Sequence, residues 1–363
     1  MIVKKLELEN FRNYKSLDLD LDPKKNVLYG NNAQGKTNIL ESIYICSTTK
    51  SHRSNKDVEL IRFGEREAHI KLFIEKKEKE VRVDVHLRKN KTKGIAVNGV
   101  PIKRASELFG IFNVIFFAPE DLNIIKNGPA ERRRFMDLEL CQLDKIYVHN
   151  LINYNKVLNQ RNRLLKEISF NPSAEETLDV WDEQLVLYGK EIIKKREEFI
   201  KQISKIIKPI HEDLTNKEES IKIDYHKNTE VKDFEKNLKR NRSVDLRNKS
   251  TSVGPHRDDI LFFNKDINIR TYGSQGQKRT IALSLKLAEI ELVKKIINDT
   301  PVLLLDDVLS ELDSDRQNHL LERLDNIQTI VTCTGLDEFV ENSINIDRVF
   351  KVDNAKVKEK KIN

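Results

Sequence analysis

Three cysteines in 363 residues, at positions 46, 141 and 333, stand singly, with no Cys-x-x-Cys among them. That spacing excludes a disulfide framework and a thiolate zinc site, and it points to a reducing compartment. No run of 18 apolar residues occurs, which excludes a membrane-spanning helix and, with it, a membrane partner. The opening MIVKKLELENFRNYKSL alternates apolar and charged residues and has no apolar block of signal-peptide length, so a cytoplasmic protein is expected. Internal repeats and low-complexity segments are lacking too. Charge of neither sign dominates: 65 Lys+Arg stand against 58 Asp+Glu, a net +7 that is compatible with a nucleic-acid partner without requiring one. With 38% hydrophobic and 34% charged residues, the chain has material for a real core and a heavily solvated surface. Its length suggests about two domains.

The first third reads as strands around one helix. KLELEN and LDLDLD alternate with period two, and NVLY at 26–29 is a short buried strand that runs into a glycine loop. Ile39, Leu40 and Ile43 then recur at helical spacing. From about 67 to 102 the strand pattern returns, with Asn98-Gly99 as a two-residue hairpin signal. The middle changes period. Apolar positions 143–168 and 181–206 predict two long helices broken by SFNPS, with Ser173 and Glu176 as a capping box at the second and Pro209 as its end. Such a pair folds back as an antiparallel hairpin. Tyr147, Tyr154 and Trp181 fall on its apolar stripes and are assigned to packing rather than base stacking. Residues 232–249 are polar and basic and read as a surface linker. The last quarter turns α/β, with PVLLLDD at 301–307, QTIVTCT at 328–334 and a closing hairpin.

Two segments carry chemistry. GNNAQGKT at 30–37 fits G-x-x-x-x-G-K-[ST] between a strand and a helix, the context in which that pattern marks a P-loop. Gly30 and Gly35 let the backbone curl through Asn31, Asn32, Ala33 and Gln34 so that its N–H groups can face a phosphate at a helix N-terminus. Lys36 is assigned to the β- and γ-phosphates of a nucleotide and Thr37 to Mg²⁺. VLLLDD supplies the carboxylates: Asp306 at the strand end for Mg²⁺ and Asp307 as general base toward water.

A second Gly-Ser turn, TYGSQGQKRT at 271–280, precedes VLLLDD and SELD at 310–313. This order resembles the ABC-type ATPase heads of the SMC and RecF group. Seven blocks narrow the resemblance to the RecF family across essentially the whole chain: LELENFRNY, GNNAQGKTNILESIY, FFAPEDL, GPAERRRFMD, SVGPHRDD, YGSQGQKRT and LLLDDVLSELD. The resemblance implies an ABC-type P-loop α/β head over 1–120 and 250–363, with a β-rich layer. It also implies an inserted, mainly helical arm domain over 121–249. By the same resemblance, Ser274, Gln275, Gly276 and Gln277 form a signature that binds the ATP of a second copy, and Asp313 belongs to the loop at that interface. The family's role follows as an expectation: an ATP-dependent homodimer that binds DNA, both duplex and single-stranded/duplex junctions. It acts with RecR and RecO to load RecA in recombinational gap repair, replication restart and SOS induction, with slow ATP hydrolysis.

Arg12 is either a nucleotide contact or a surface arginine. Arg132, Arg133 and Arg134 either touch DNA phosphates or form a solvated face. His256 and Arg257 are assigned a structural or interface role. The chain departs from transport-type heads in carrying Asp306-Asp307 for Asp-Glu, no evident Q-loop glutamine around Ala118–Asp121, and Thr332 or Thr334 where a switch histidine ends the strand. These departures weigh against an ABC ATPase of a transport system. Another SMC-like chromosome protein would share the head, and a small-metabolite kinase would leave the Ser274 turn and SELD without a purpose.

Overall fold

The computed structural model describes residues 1–54, 56–312, 316–317, 320, 324, 326–335 and 346–360. The chain divides into two units, Met1–Asp121 with Glu289–Asn363, and Leu122–Ala288.

Among the described residues, the first unit holds two six-stranded sheets. One is antiparallel throughout, in the order Tyr14–Asp20, Ile2–Phe11, Glu67–Lys76, Lys79–Arg88, Gly94–Val97, Val100–Pro101. Its strands alternate buried and exposed residues, as a sheet with one covered face must. Asn98 and Gly99 both take positive φ (52° and 79°), the primed turn that the Asn-Gly pair favours. The other sheet runs Lys356–Lys360, Arg348–Asp353, Lys25–Tyr29, Thr329–Cys333, Val302–Asp306, Val114–Phe117, parallel except for its terminal hairpin. Val302–Asp306, Thr329–Cys333 and Val114–Phe117 are buried at every position, which is why they lack the apolar–charged alternation of the first sheet.

The helix Lys36–Thr48 packs against strands of both sheets and buries eleven of its 13 residues. A helix buried on nearly every side needs partners for its polar groups as well as its apolar ones. Its polar groups are satisfied internally: the Ser42 hydroxyl donates to the Ile39 carbonyl, Ser47 to Phe112 and Thr48 to Tyr44. The buried Gln328 amide ties the two sheets together, donating to the Val3 and Asp22 carbonyls and accepting from the Val3 N–H.

The second unit contains the expected helical pair, Lys145–Glu167 against Leu178–Leu214. At 1.5 Å per residue the longer helix spans about 55 Å. Four expectations need correcting here. Pro209 lies inside the helix and does not end it, because Ile207, Ile210 and His211 are buried and hold the last turn despite one lost backbone bond. Ser173 donates to Asn171 Oδ1 and caps nothing, since residues Pro172–Thr177 form a 3₁₀ turn and the helix starts after it. Residues 232–249 are no linker: they form helices Phe234–Arg240 and Arg242–Asn248, with Phe234, Leu238 and Asp245 buried. The unit also runs past 249 to Ala288, because strand Asp259–Asn264 pairs with Lys222–His226.

Its interior is built on arginines. Arg161, fully buried, donates to Asp182 (2.6 Å), Asp245 (2.7 Å) and the Thr251 hydroxyl (2.9 Å), fastening the 232–249 segment to both long helices. Arg196 reaches Asp137, Asp258 and the Pro255 carbonyl. A buried charge survives only with such partners, and removing one partner of a buried pair costs roughly 3–5 kcal/mol. Tyr147 and Tyr154 are buried among these groups, in the packing role assigned to them.

His256 sits in the same interior. Its Nε2 faces the Thr251 carbonyl (2.9 Å), an acceptor only, so Nε2 carries the proton and Nδ1 accepts from the Tyr154 hydroxyl (2.6 Å). Burial lowers its pKa from 6.5 to about 4. Between these values the unfolded chain binds more protons than the folded one, so stability rises with pH across that window. The contribution is whole above pH 6.5 and is lost as pH falls toward 4, by about 3 kcal/mol at 1.4 kcal/mol per unit. In denaturant titrations the wild type should therefore lose about 3 kcal/mol more than His256→Gln as pH falls from 6.5 to 4, and the two should run parallel above pH 6.5. Parallel pH dependences across that window as well would show that His256 does not titrate as described.

Candidate nucleotide site

The phosphate loop lies between the parallel strand Lys25–Tyr29 and the buried helix Lys36–Thr48. Gly30 and Gly35 take φ of 153° and 114°, a region that suits glycine. A side chain at Gly30 would strike the Val352 carbonyl, and one at Gly35 would meet Asn13 and Tyr14. The loop is braced from both sides. The closing hairpin sends the Asn354 N–H to Gln34 Oε1 and the Ala355 N–H to the Gln34 carbonyl. The turn after the first strand sends Asn13 Nδ2 to the Gln34 carbonyl and the Tyr14 hydroxyl to that of Gly35.

Lys36 is buried, and its ammonium donates to the Gly30 (2.7 Å) and Asn31 (3.1 Å) carbonyls. The first N–H groups of the helix behind it lack intrahelical partners, and no acidic residue opposes them in the first turn. That is the electrostatic setting for an anion.

Thr37 and Asp306 meet across the sheet, hydroxyl to carboxylate at 2.8 Å. Asp306 Oδ1 also accepts from Thr332 (2.7 Å) on the intervening strand, and the Thr332 oxygen accepts from the Asp307 N–H (3.0 Å). Of the two threonines suggested for the switch position, Thr332 makes these contacts. Burial pushes the Asp306 carboxyl above its ordinary range against both hydroxyls, and the charges of Asp307 and Glu120 push the same way. A hydroxyl and a carboxylate side by side are hard oxygen donors of the kind Mg²⁺ takes, and the raised carboxyl is one that a cation would return to its charged form. The residues present thus fit the ion.

Asp307 has a left-handed backbone (φ 51°) and lines a cavity of about 1000 Å³ together with Asn32, Ala33, Gly35, Lys36 and Thr37. Arg12 lines it too, held by Glu41 through Nε and Nη2 (2.8 and 2.7 Å) and by the Glu59 carbonyl through Nη1. Burial raises the Glu41 carboxyl, but Arg12 and Ser51 more than reverse this and hold it low. Sequence reasoning missed Arg53, Arg62, Phe63 and Lys89, which complete the lining from segments without a motif. It also missed Glu120, whose charge is felt at Asp306 from the stretch where no Q-loop glutamine was found.

The Gly-Ser turn belongs to the second unit and is described there. Ser274 and Gln277 form a reciprocal capping box: the Gln277 N–H donates to Ser274 Oγ (3.1 Å), and the Ser274 N–H to Gln277 Oε1 (2.9 Å). The Gln277 amide also donates to Glu219 (3.1 Å). Ser274, Gln275 and Gly276 are exposed at the start of helix Gln275–Ile297. Asp313 lies outside the described residues. Arg132 cannot serve as a surface contact for DNA. It is 1% exposed, paired with Asp259 at 2.6 Å and bonded to the Ile124 and Asn127 carbonyls, while Arg133 donates to the Asp258 carbonyl.

The family model RecF/RecN/SMC N terminal domain matches residues 2–358. The DNA replication and repair protein RecF of Lachnospira eligens is 62% identical over 359 residues, 98% of this chain and 99% of that protein. The chain belongs to the RecF family. A solved structure of the recombination mediator protein RecF-ATP in the RecFOR pathway superposes with a TM-score of 0.92 at 34% identity, covering 99% of this chain and 98% of that one. An Smc head domain from Pyrococcus furiosus shares the fold, with a TM-score of 0.58 at 18% identity over 99% of this chain and 95% of its own. The RecF-family fold is thus an ABC-type ATPase head of the SMC kind, and a transport ATPase is set aside. No helix among the described residues is long and apolar enough to cross a membrane.

Thr332 offers a direct check on the site. Thr332→Val removes the donor to Asp306 and leaves the Asp307 N–H without its acceptor, which should cost about 1–3 kcal/mol in chemical unfolding. Thr332→Ser keeps both bonds and should lie close to wild type; a loss in Thr332→Ser with Thr332→Val near wild type would mean that methyl packing, not the hydroxyl, matters.

Proposed function

We propose that the chain is an ATP-gated DNA repair protein that binds ATP with Mg²⁺ in the cavity of the first unit and hydrolyses it slowly. The observation that carries this reading is the convergence of Lys36, the Thr37–Asp306 pair and Asp307 on one cavity at a helix N-terminus. On binding, the Lys36 ammonium leaves the Gly30 and Asn31 carbonyls for the β- and γ-phosphates. Thr37 and Asp306 would hold Mg²⁺, which would supply neutralisation of phosphate charge. Asp307 orients and deprotonates water, and its short side chain favours slow turnover. Asn31, Asn32, Ala33, Gln34 and the two loop glycines enclose the phosphates. Arg12 adds positive charge beside them, and Phe63, wholly exposed in the lining, offers an aromatic face to the adenine.

Ser274 to Gln277 serve the ATP of a second copy. The Ser274 oxygen is occupied as an acceptor in its own capping box, but its proton remains to donate to a γ-phosphate. Asp313 joins the same interface. ATP therefore closes a homodimer and hydrolysis opens it. The closed form holds duplex DNA and single-stranded/duplex junctions through backbone phosphates, independently of sequence. The relatives named for replication and repair, and the RecFOR pathway named with the solved RecF, support a role with RecR and RecO in RecA loading, replication restart and SOS induction.

Molar mass in solution tests the clamp. With Mg²⁺, the wild type should be a dimer in ATP and a monomer in ADP or without nucleotide. Ser274→Arg should still bind ATP yet stay monomeric, and Lys36→Arg should lose the ATP response. A wild-type monomer in ATP would sink the shared-nucleotide clamp, and failure to bind ATP at all would sink the nucleotide site. Duplex affinity in ATP should fall steeply with salt, with a slope near 0.9 per phosphate contacted.

A further inference from the structure

The antiparallel sheet of the first unit carries a second cluster that the phosphate loop does not use. On its half-exposed face, His69 of strand Glu67–Lys76 lies opposite His86 of strand Lys79–Arg88, and Glu67 stands two residues along on the same face. The imidazoles stack with centroids 4.0 Å apart and planes 21° from parallel. His86 Nε2 is 2.9 Å from a Glu67 carboxylate oxygen. One ligand atom from each of the three lies within 4.8 Å of the others, and among the described residues no other such group occurs. Glu9, on the next strand, is the register partner of His69, and these two residues share the lining of a cavity of about 520 Å³.

The donor set selects the ligand. Stacked imidazoles repel one another when both are charged, and an ion held between their ring nitrogens removes that conflict. The nearest lysine on this face, Lys71, faces Glu7 at 3.7 Å. Two imidazoles with a carboxylate suit a borderline divalent ion; Mg²⁺ and Ca²⁺ take oxygen sets, and soft ions take thiolates. All three cysteines are buried and offer no competing surface site.

We propose that Glu67, His69 and His86 form a binding site for a divalent transition-metal ion of the zinc class, with Glu9 as the next carboxylate within reach. The site's position gives it a consequence. One strand begins just after the segment that supplies Arg62, Phe63 and Gly64 to the phosphate-loop cavity, and the other ends just before Lys89, which lines it too. The Lys89 N–H is bonded to the Arg66 carbonyl at 3.1 Å. An ion bridging His69 and His86 pins this strand pair at the end that carries the cavity wall.

The test is calorimetric titration of the chelator-treated full chain with Zn²⁺ alone, without nucleotide. The wild type should take up one equivalent. Its affinity should fall about tenfold or more in His69→Asn and in His86→Asn. It should be unchanged in His226→Asn, an exposed histidine of the second unit. Zn²⁺ should also raise the melting temperature of the wild type but not of the first two variants, whose unliganded melting serves as the folding control. Absence of saturable uptake by the wild type, or uptake that both variants retain, would overturn the site.

Discussion

The chemistry of the first unit depends on one buried carboxylate. Asp306 ends a strand whose four preceding residues are apolar and buried, and burial alone would favour its neutral form. Two hydroxyls make the position tenable: Thr37, from the helix after the phosphate loop, and Thr332, from the strand between the two motif strands. One oxygen thereby fixes three elements against each other. Thr332 passes the constraint on by accepting from the Asp307 N–H, which holds the next residue in its left-handed turn and on the cavity wall. A divalent cation at this point would replace costly hydroxyl-to-carboxylate compensation with a full charge. Ligand binding and local order at the site are then the same equilibrium.

The second unit uses charged groups for a different end. Its family blocks GPAERRRFMD and SVGPHRDD look chemical, yet Arg132 pairs with Asp259, Arg133 bonds the Asp258 carbonyl, and His256 is a neutral, buried link between Tyr154 and Thr251. Arg161 and Arg196 complete a polar interior in which each guanidinium is matched by carboxylates from separate segments. Such pairs add little net stability over apolar packing, but any register in which a partner is missing is heavily penalised. They therefore select a single arrangement of helices whose apolar stripes alone would tolerate sliding. A matched Arg–Asp pair holds helix Pro129–Leu143 to the strand Asp259–Asn264.

How much of this was legible follows from the range of the interactions involved. The phosphate loop, the all-apolar strands and the Asn98-Gly99 turn are local patterns with a local cause, and the structure places them where their sequence patterns predict. The helix through Pro209 was not legible, because what carries it is the burial of Ile210 and His211, contacts that no local propensity contains. Residues 232–249 misled for the same reason. Only Phe234 and Leu238 are apolar and buried there, and the rest of the hold is largely polar and distant in sequence: Asp245 on Arg161, 84 positions away, and Arg242 on Asp179 and Asp182. The boundary near 250 moved because a strand pairing, Asp259–Asn264 with Lys222–His226, crosses it. At the site, the motif residues were readable, whereas Phe63, Lys89 and Glu120 come from segments defined only by where the sheets bring them.

Arg12 shows how the loop helix and the cavity wall become one mechanical unit. Two of its guanidinium nitrogens grip Glu41, inside the helix that starts at Lys36, and the third grips the Glu59 carbonyl, in the segment that lines the cavity. The backbone adopts a positive φ of 54° at Arg12 to allow this, a conformation that costs of order 1 kcal/mol for such a residue. The Arg12 N–H also donates to the Leu60 carbonyl, so main chain and side chain hold the same wall. Because the helix is enclosed between two sheets, it has little freedom to tilt independently. Arg12 thereby joins the helix that begins at Lys36 to the segment that lines the cavity. The bidentate grip on a buried carboxylate makes Arg12 part of the framework of the cavity rather than an arginine free in solvent.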